Sequence, residues 1–377
     1  MDLPAYPAAR AVAAKMHHYF RRYAETVEGS PDFTDRVPHA SDVEGIIEAA
    51  FWASLRREEG FEPHISLAFL RPEHTVSPLM FERPIALGAA ALAKLAPAVE
   101  RPGIHLGVWR GEGGLSVWGT TRHIPTYVFV LEVIDPGLLV VKHRRTEASK
   151  FVNVLVLQGD QIKLVDEGAS AVPDCPPLLT SMLGLPLRNS DIDNMNVLVE
   201  LAVSMRAHKR GGSLLVVPGD SDAWRESILQ PAGYALSPRF SELARLVRDQ
   251  ESQRHDRQWQ DAMHRAVETI AGLTAVDGAT LISDRYDVLA FGAKIARRDG
   301  WTRVQEMIAT EPIEGSAPTS VHPAELGGTR HLSAAQFVQD QRDSLALVAS
   351  QDGRFTIFTW SACENLVHAH RVEWLLL

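Results

Sequence analysis

The chain has 377 residues, more than one ordinary hydrophobic core supports, so two or three domains are expected. Apolar residues make up 45% and charged residues 23%, the balance of a water-soluble globular chain rather than a disordered or membrane one. A formal net charge of -9 argues against extended nucleic acid or an anionic membrane as partner, while a local basic patch could still hold a small anion.

Cys175 and Cys363 lie far apart and match no metal-ligand spacing, so both are expected to be reduced, buried thiols of a cytoplasmic protein. The start, Met1-Asp2-Leu3-Pro4, has no basic stretch followed by an apolar core, and no secretory signal is expected. The tract from Val128 to Val141 is interrupted by Glu132, Asp135, Pro136 and Gly137, and falls short of the ~20 apolar residues of a membrane-spanning helix.

Taken in chain order, residues 8–26 read as a helix. Ser41 to Arg57 reads as a second, with Ser41 and Glu44 at capping-box spacing and Ile47, Phe51 and Leu55 on one face. From about Glu62 to Val172 the period becomes strand-like, with a helix near Ala86 to Leu95. Turns are expected at Gly111-Glu112-Gly113-Gly114, Asp135-Pro136-Gly137 and Gln158-Gly159-Asp160, which predicts an antiparallel meander. Cys175-Pro176-Pro177 opens a linker that runs to Leu187. A helix capped by Asp193 or Asn194 then runs to about His208, followed by a strand from Ser213 to Val217 and helical sequence from Ser241 to Gly272. A strand pair is expected at Thr280–Ile282 and Val288–Phe291. Residues 299–326 read as irregular, Ser333–Gln341 as a helix, and Ser344–Ala349 and Phe355–Trp360 as strands. These elements imply three segments: helices over 1–60, a β-rich domain over 61–185, together forming an α+β half, and an α/β domain over 190–377.

Two stretches carry chemistry. Asp277-Gly278-Ala279 follows an apolar run, so the carboxylate is expected at the edge of a core, where a charge needs a partner or a metal. Asp-Gly is also a common turn dipeptide. Gly327-Gly328-Thr329-Arg330-His331 leads into a helix. Its backbone N–H groups are free to meet an anion, Arg330 offers a planar fork, and His331 can donate a hydrogen bond or carry a proton. Neither stretch has the glycine and lysine spacing of a Walker loop or a dinucleotide fingerprint. His17-His18 and His368-Ala369-His370 lack Cys or carboxylate partners at ligand spacing and read as surface or core histidines. Arg206, Lys209 and Arg210 fit compensation of a helix C-terminus. Trp109 and Trp118 read as packing within the meander.

In this order the motifs resemble the diadenylate cyclase (DAC) domain. Gly212-Ser213-Leu214-Leu215-Val216-Val217 is similar to its first strand, Asp277-Gly278-Ala279 to its Asp-Gly-Ala motif, and Gly328-Thr329-Arg330-His331 to its Gly-Thr-Arg-His-Arg motif. Asp343 through Gly353 is similar to the strand that follows, and the resemblance spans about residues 190–377. The whole chain resembles DAC-like nucleotide-sensor proteins with a β-rich N-terminal domain. Leu332 stands where the motif has its second Arg, and Gln351-Asp352 where it has Glu-Glu.

The resemblance implies an α/β fold with a central mixed sheet flanked by helices, and ATP or a related nucleotide as ligand. It further implies Mg²⁺ or Mn²⁺ on Asp277 and Asp352, and a nucleotide held by Gly278, Ala279, Gly328, Thr329, Arg330, His331 and Ser350. Asp277, Arg330 and His331 would be the catalytic residues if two ATP are condensed to cyclic di-AMP. That reaction requires a face-to-face dimer. The alternative is an inactive nucleotide or cyclic-dinucleotide sensor in bacterial signalling, for which Leu332 and Gln351-Asp352 speak.

Overall fold

The computed structural model describes residues 4–26, 36–146, 150–171, 174–183, 185, 192–249 and 256–377. The proposed cap side chains Asp193 and Asn194 lie outside the described residues. The chain is a mixed α/β protein that divides into two units, Met1–Val165 with Leu377, and Asp166–Leu376. Among the described residues each unit is built on one mixed sheet, of 8 and 9 strands respectively.

The first unit opens with α1 (Pro7–Thr26) and α2 (Ala40–Ser54). Val12, Met16 and Phe20 of α1 fall on one face and are buried, and Pro7 suits the first helical position because it lacks the N–H that would go unsatisfied there. The start of α2 differs from the Ser41/Glu44 expectation. His39 is the N-cap, and its backbone N–H donates to Asp42 Oδ2 at 2.8 Å. The same oxygen accepts from Arg110 Nη2 at 2.6 Å, so one carboxylate ties the helix start to the sheet. The buried stripe is also rotated: Val43, Ile46, Ile47, Ala50 and Ala53 face inward, while Leu55 is exposed.

Then come β1 (Ile65–Phe69), β2 (Leu79–Ala86), α3 (Ala89–Leu95), β3 (His105–Gly111), β4 (Gly114–Thr121), β5 (Val130–Asp135), β6 (Leu138–His143), β7 (Val152–Gln158) and β8 (Gln161–Leu164). The sheet order is β2-β4-β3-β1-β5-β6-β7-β8. The three expected turns join β3 to β4, β5 to β6 and β7 to β8. The sheet is not a pure meander, because β1 pairs in parallel with β3. A crossover of the length of β2 and α3 between them permits this pairing, which a short turn cannot. The helices cover one face through Ile65, Leu67, Leu106, Val108, Leu131 and Val141. Trp118 is buried in the sheet and donates its Nε1–H to the Leu70 carbonyl at 2.8 Å, a packing role.

The second unit contains α4 (Pro177–Met182), within the stretch expected as linker, and α5 (Ile192–Ala207). It continues through β9 (Gly212–Val217), β10 (Tyr234–Phe240), α6 (Glu242–Arg248), α7 (Arg257–Thr274), β11 (Ala279–Ser283) and β12 (Val288–Ala293). Residues 299–326 are less irregular than expected, since they hold β13 (Met307–Thr310), β14 (Thr319–Val321) and α8 (Pro323–Leu326). Short edge strands are hard to read because four residues carry no clear period. The unit ends with α9 (Thr329–Asp340), β15 (Leu345–Ala349), β16 (Phe355–Ser361) and β17 (Leu366–Arg371). The order is β10-β12-β11-β9-β15-β16-β17-β13-β14, with β9/β11 and β13/β17 parallel. Every position of β9 and β11 is buried, as expected for central strands covered on both faces.

Cys175 is half-buried and Cys363 exposed, which corrects the expectation of two buried thiols. Cys363 sits in the turn between β16 and β17, where its N–H donates to Asp174 Oδ2 at 2.8 Å. His368 and His370 project from β17 and are buried. His368 Nε2 meets Glu364 Oε2 at 2.7 Å, and His370 Nδ1 meets Thr310 Oγ1 at 2.7 Å. No described helix is long and apolar enough to cross a membrane.

Two stability outcomes follow. Phe337 of α9 is fully buried, so Phe337→Ala is expected to cost about 3–5 kcal/mol, read as a lower urea midpoint for the second unit. Burial pushes His105 down to about 4 and His370 down to about 3. An unfolded histidine titrates near ~6.5, so below that pH the unfolded chain binds protons that the folded chain refuses. Stability is therefore fullest above about pH 6.5 and falls toward about pH 4, by roughly 1.4 kcal/mol per pH unit for each ring. A flat stability profile across that window would contradict burial of the two neutral imidazoles.

Candidate functional site

α9 begins at Thr329, with Gly328 as its N-cap. Its apolar residues Ala334, Ala335, Phe337 and Val338 share one core cluster with Leu215 and Val217 of β9, Leu281 of β11 and Val348 of β15. That packing fixes the helix axis and brings Thr329, Arg330 and Ser333 to the start of β9 and β11. The result is an open pocket of about 200 Å³ lined by Ser213, Asp277, Gly278, Ala279, Ala293, Lys294, Ile295, Thr329, Arg330 and Ser333. The two motifs, separate in sequence, meet there.

Asp277 is not at a core edge as expected. It lies in the loop between α7 and β11, and its side chain is 88% exposed. Its partner is Lys294, whose Nζ donates to Asp277 Oδ2 at 2.5 Å. That hydrogen bond and the ammonium charge, with Arg330 adding to them, hold the Asp277 carboxyl below the usual carboxylate range. Lys294 follows the last residue of β12, and the Ala279–Ala293 pairing sets it across from Gly278, next to Asp277. The lysine belongs to no motif and lies beyond the expected strand pair, so only the pairing of β11 with β12 identifies it.

The Arg330 guanidinium lies beside Gly211, where an added Cβ would come within 3.0 Å of Nη1. It is half-buried, and among the described residues it has no hydrogen-bond or ion-pair partner. The ionised groups lining the pocket are therefore one carboxylate and two cations, with one of the cations unpaired.

Gly278 adopts φ +110, and a Cβ there would sit 2.5 Å from the backbone carbon of Gly292. The missing side chain makes room for the neighbouring strand, while the residue also lines the pocket. His331 does not line it. Its ring is buried against Gly327 and edge-on to Phe358, with Nε2 3.4 Å from Thr356 Oγ1. Burial, with the Arg354 charge, lowers its pKa, so the ring is held neutral. Gly328 and Ser350 are also outside the lining, Ser350 because it opens the β15–β16 turn by donating its N–H to the Arg354 carbonyl. Asp352 lies in the same turn and is ion-paired with Arg354 at 2.9 Å.

The resemblance implies a divalent ion on Asp277 and Asp352. Magnesium sites of that kind use one or two carboxylates together with substrate phosphates. Here Asp352, which is not among the lining residues, is engaged by Arg354, and Asp277 is engaged by Lys294. Among the described residues no group of three or more His, Cys, Asp and Glu side chains could hold a metal. This donor set does not fit an ion held by paired carboxylates.

Gly278→Ala is expected to cost well over ~1 kcal/mol, because a positive φ is combined with a backbone clash. Gly300→Ala, at φ +78 with open space around it, is expected to cost less. Denaturant midpoints of the two variants compare them directly, and equal losses would remove the steric role assigned to Gly278.

Residues 32–122 match the family described as "Probable sensor domain DACNV", a stretch that falls within the first unit. No curated protein matches the chain.

Proposed function

We propose that the second unit is a DAC-like nucleotide-binding module and that the chain works as a nucleotide sensor. The observation that carries this reading is the unpaired Arg330 guanidinium at a pocket that also holds Lys294 and the N-terminus of α9. A half-buried guanidinium without a partner is held in wait for an anion, and its planar fork matches two phosphate oxygens. The first N–H groups of a helix have no partner within it, and they add donors and a favourable partial charge. Ala279 and Thr329 line the same space, within reach of a ligand whose phosphate meets Arg330. The sensor-domain match in the first unit supports sensing over catalysis, as does Leu332 in place of a second arginine.

Condensation of two ATP to cyclic di-AMP is the second reading, supported by Asp277, Thr329 and Arg330 lining one pocket in the order the resemblance gives. It demands two copies meeting face to face, so a protein that remains a monomer with ATP would speak against it.

The test is titration of the purified chain with a panel of nucleotides and cyclic dinucleotides, with products of ATP incubation resolved by mass spectrometry. Saturable binding with ATP unchanged supports the sensor, and cyclic di-AMP supports the cyclase. Arg330→Gln is expected to weaken binding about 10- to 100-fold, the range for a lost charge-assisted hydrogen bond. Absence of binding to every member of the panel removes the nucleotide reading.

A further inference from the structure

The pocket has a second cation that neither motif contains. Lys294 and Arg330 both line it, and the one carboxylate there, Asp277, is engaged by Lys294. We propose that Lys294 and Arg330 together form a clamp that takes a phosphoryl group directly, without a divalent ion, and that Asp277 is a positioning residue for the Lys294 ammonium. This rests on the nucleotide-binding reading of the same pocket.

Three observations carry it. The lining groups sum to one net positive charge before any metal arrives, counting Lys294 and Arg330 against Asp277. A divalent ion at nucleotide sites neutralises phosphate charge, and two side-chain cations can supply that neutralisation themselves. Next, the carboxylate that would recruit a metal is already hydrogen-bonded to an ammonium, and Asp352 is paired elsewhere. A metal at Asp277 would sit beside the repelling Lys294 ammonium, with no second carboxylate in the lining to hold it. Finally, both partners of the ion pair are well exposed, 54% for Lys294 and 88% for Asp277. An exposed pair is weak, so a phosphate oxygen can take over an ammonium donor at little cost. The carboxylate meanwhile keeps the long, flexible lysine at the pocket wall.

The experiment is calorimetric titration of the whole chain with ATP, once in EDTA and once with excess Mg²⁺. It compares wild type, Lys294→Gln, Asp277→Asn and Arg330→Gln, each checked for an unchanged melting temperature. Wild type is expected to bind in EDTA, with Mg²⁺ changing Kd by less than about threefold. Lys294→Gln is expected to weaken binding in EDTA by ~10-fold or more, the effect of losing one charged donor. Asp277→Asn is expected to keep binding in EDTA within about fivefold of wild type, because the lost anchoring of Lys294 by an exposed pair and the gained positive charge of the pocket oppose each other. Binding that appears only with Mg²⁺ and vanishes in Asp277→Asn overturns the metal-free clamp and leaves the nucleotide site standing. Binding that ignores both Lys294→Gln and Arg330→Gln places the ligand elsewhere and removes both, as does no binding by wild type in either buffer.

Discussion

The site depends on one packing constraint, the burial of α9 against the central strands of the second sheet. Ala334, Ala335, Phe337 and Val338 are in the same core as residues of β9, β11 and β15, so the helix cannot turn or slide without exposing apolar surface. Close-packed interiors respond to small displacements with large losses. The first turns of α9 are held with the same firmness, and they carry Thr329, Arg330 and Ser333. The position of the arginine is thus set by a hydrophobic interface on the other side of its own helix.

Against that fixed helix, the β11–β12 hairpin brings the charges of opposite sign. Gly278 and Gly292 both have positive φ, and their backbones approach so closely that a Cβ at Gly278 has no room. This closeness puts Asp277 and Lys294 in hydrogen-bond reach. Arg330 faces the pair from the helix, close enough that its charge helps to keep Asp277 ionised. The pocket thus gathers two cations and a carboxylate that is already engaged by one of them.

Much of the fold was legible in the sequence. The hairpins of the first sheet were marked by Gly and Pro turns, and the β11–β12 hairpin of the second by apolar runs on either side of residues 283–286. The start of α2 misled, because Ser41 and Glu44 had the right spacing while tertiary contact with Arg110 made Asp42 the useful carboxylate. The site was half legible. Asp277, Ala279, Thr329 and Arg330 line one pocket, whereas His331 lies one residue past Arg330 and turns into the core. At about 100° of rotation per helical residue, Thr329, Arg330 and Ser333 share one side of α9 while His331 points to the other, into the core.

The sequence by itself determined the local elements and the chemical parts: a carboxylate before a glycine, an arginine at a helix start, and two regions with different periodicity. Periodicity and turn chemistry act between near neighbours, which is why they can be read from a string. Tertiary structure alone decided which side chains share a space. It joined Lys294 to Asp277, placed Asp352 in the β15–β16 turn beside Arg354, and left Arg330 without a hydrogen-bond or ion-pair partner among the described residues. Those outcomes come from strand register and helix packing, which depend on contacts between residues far apart in the chain.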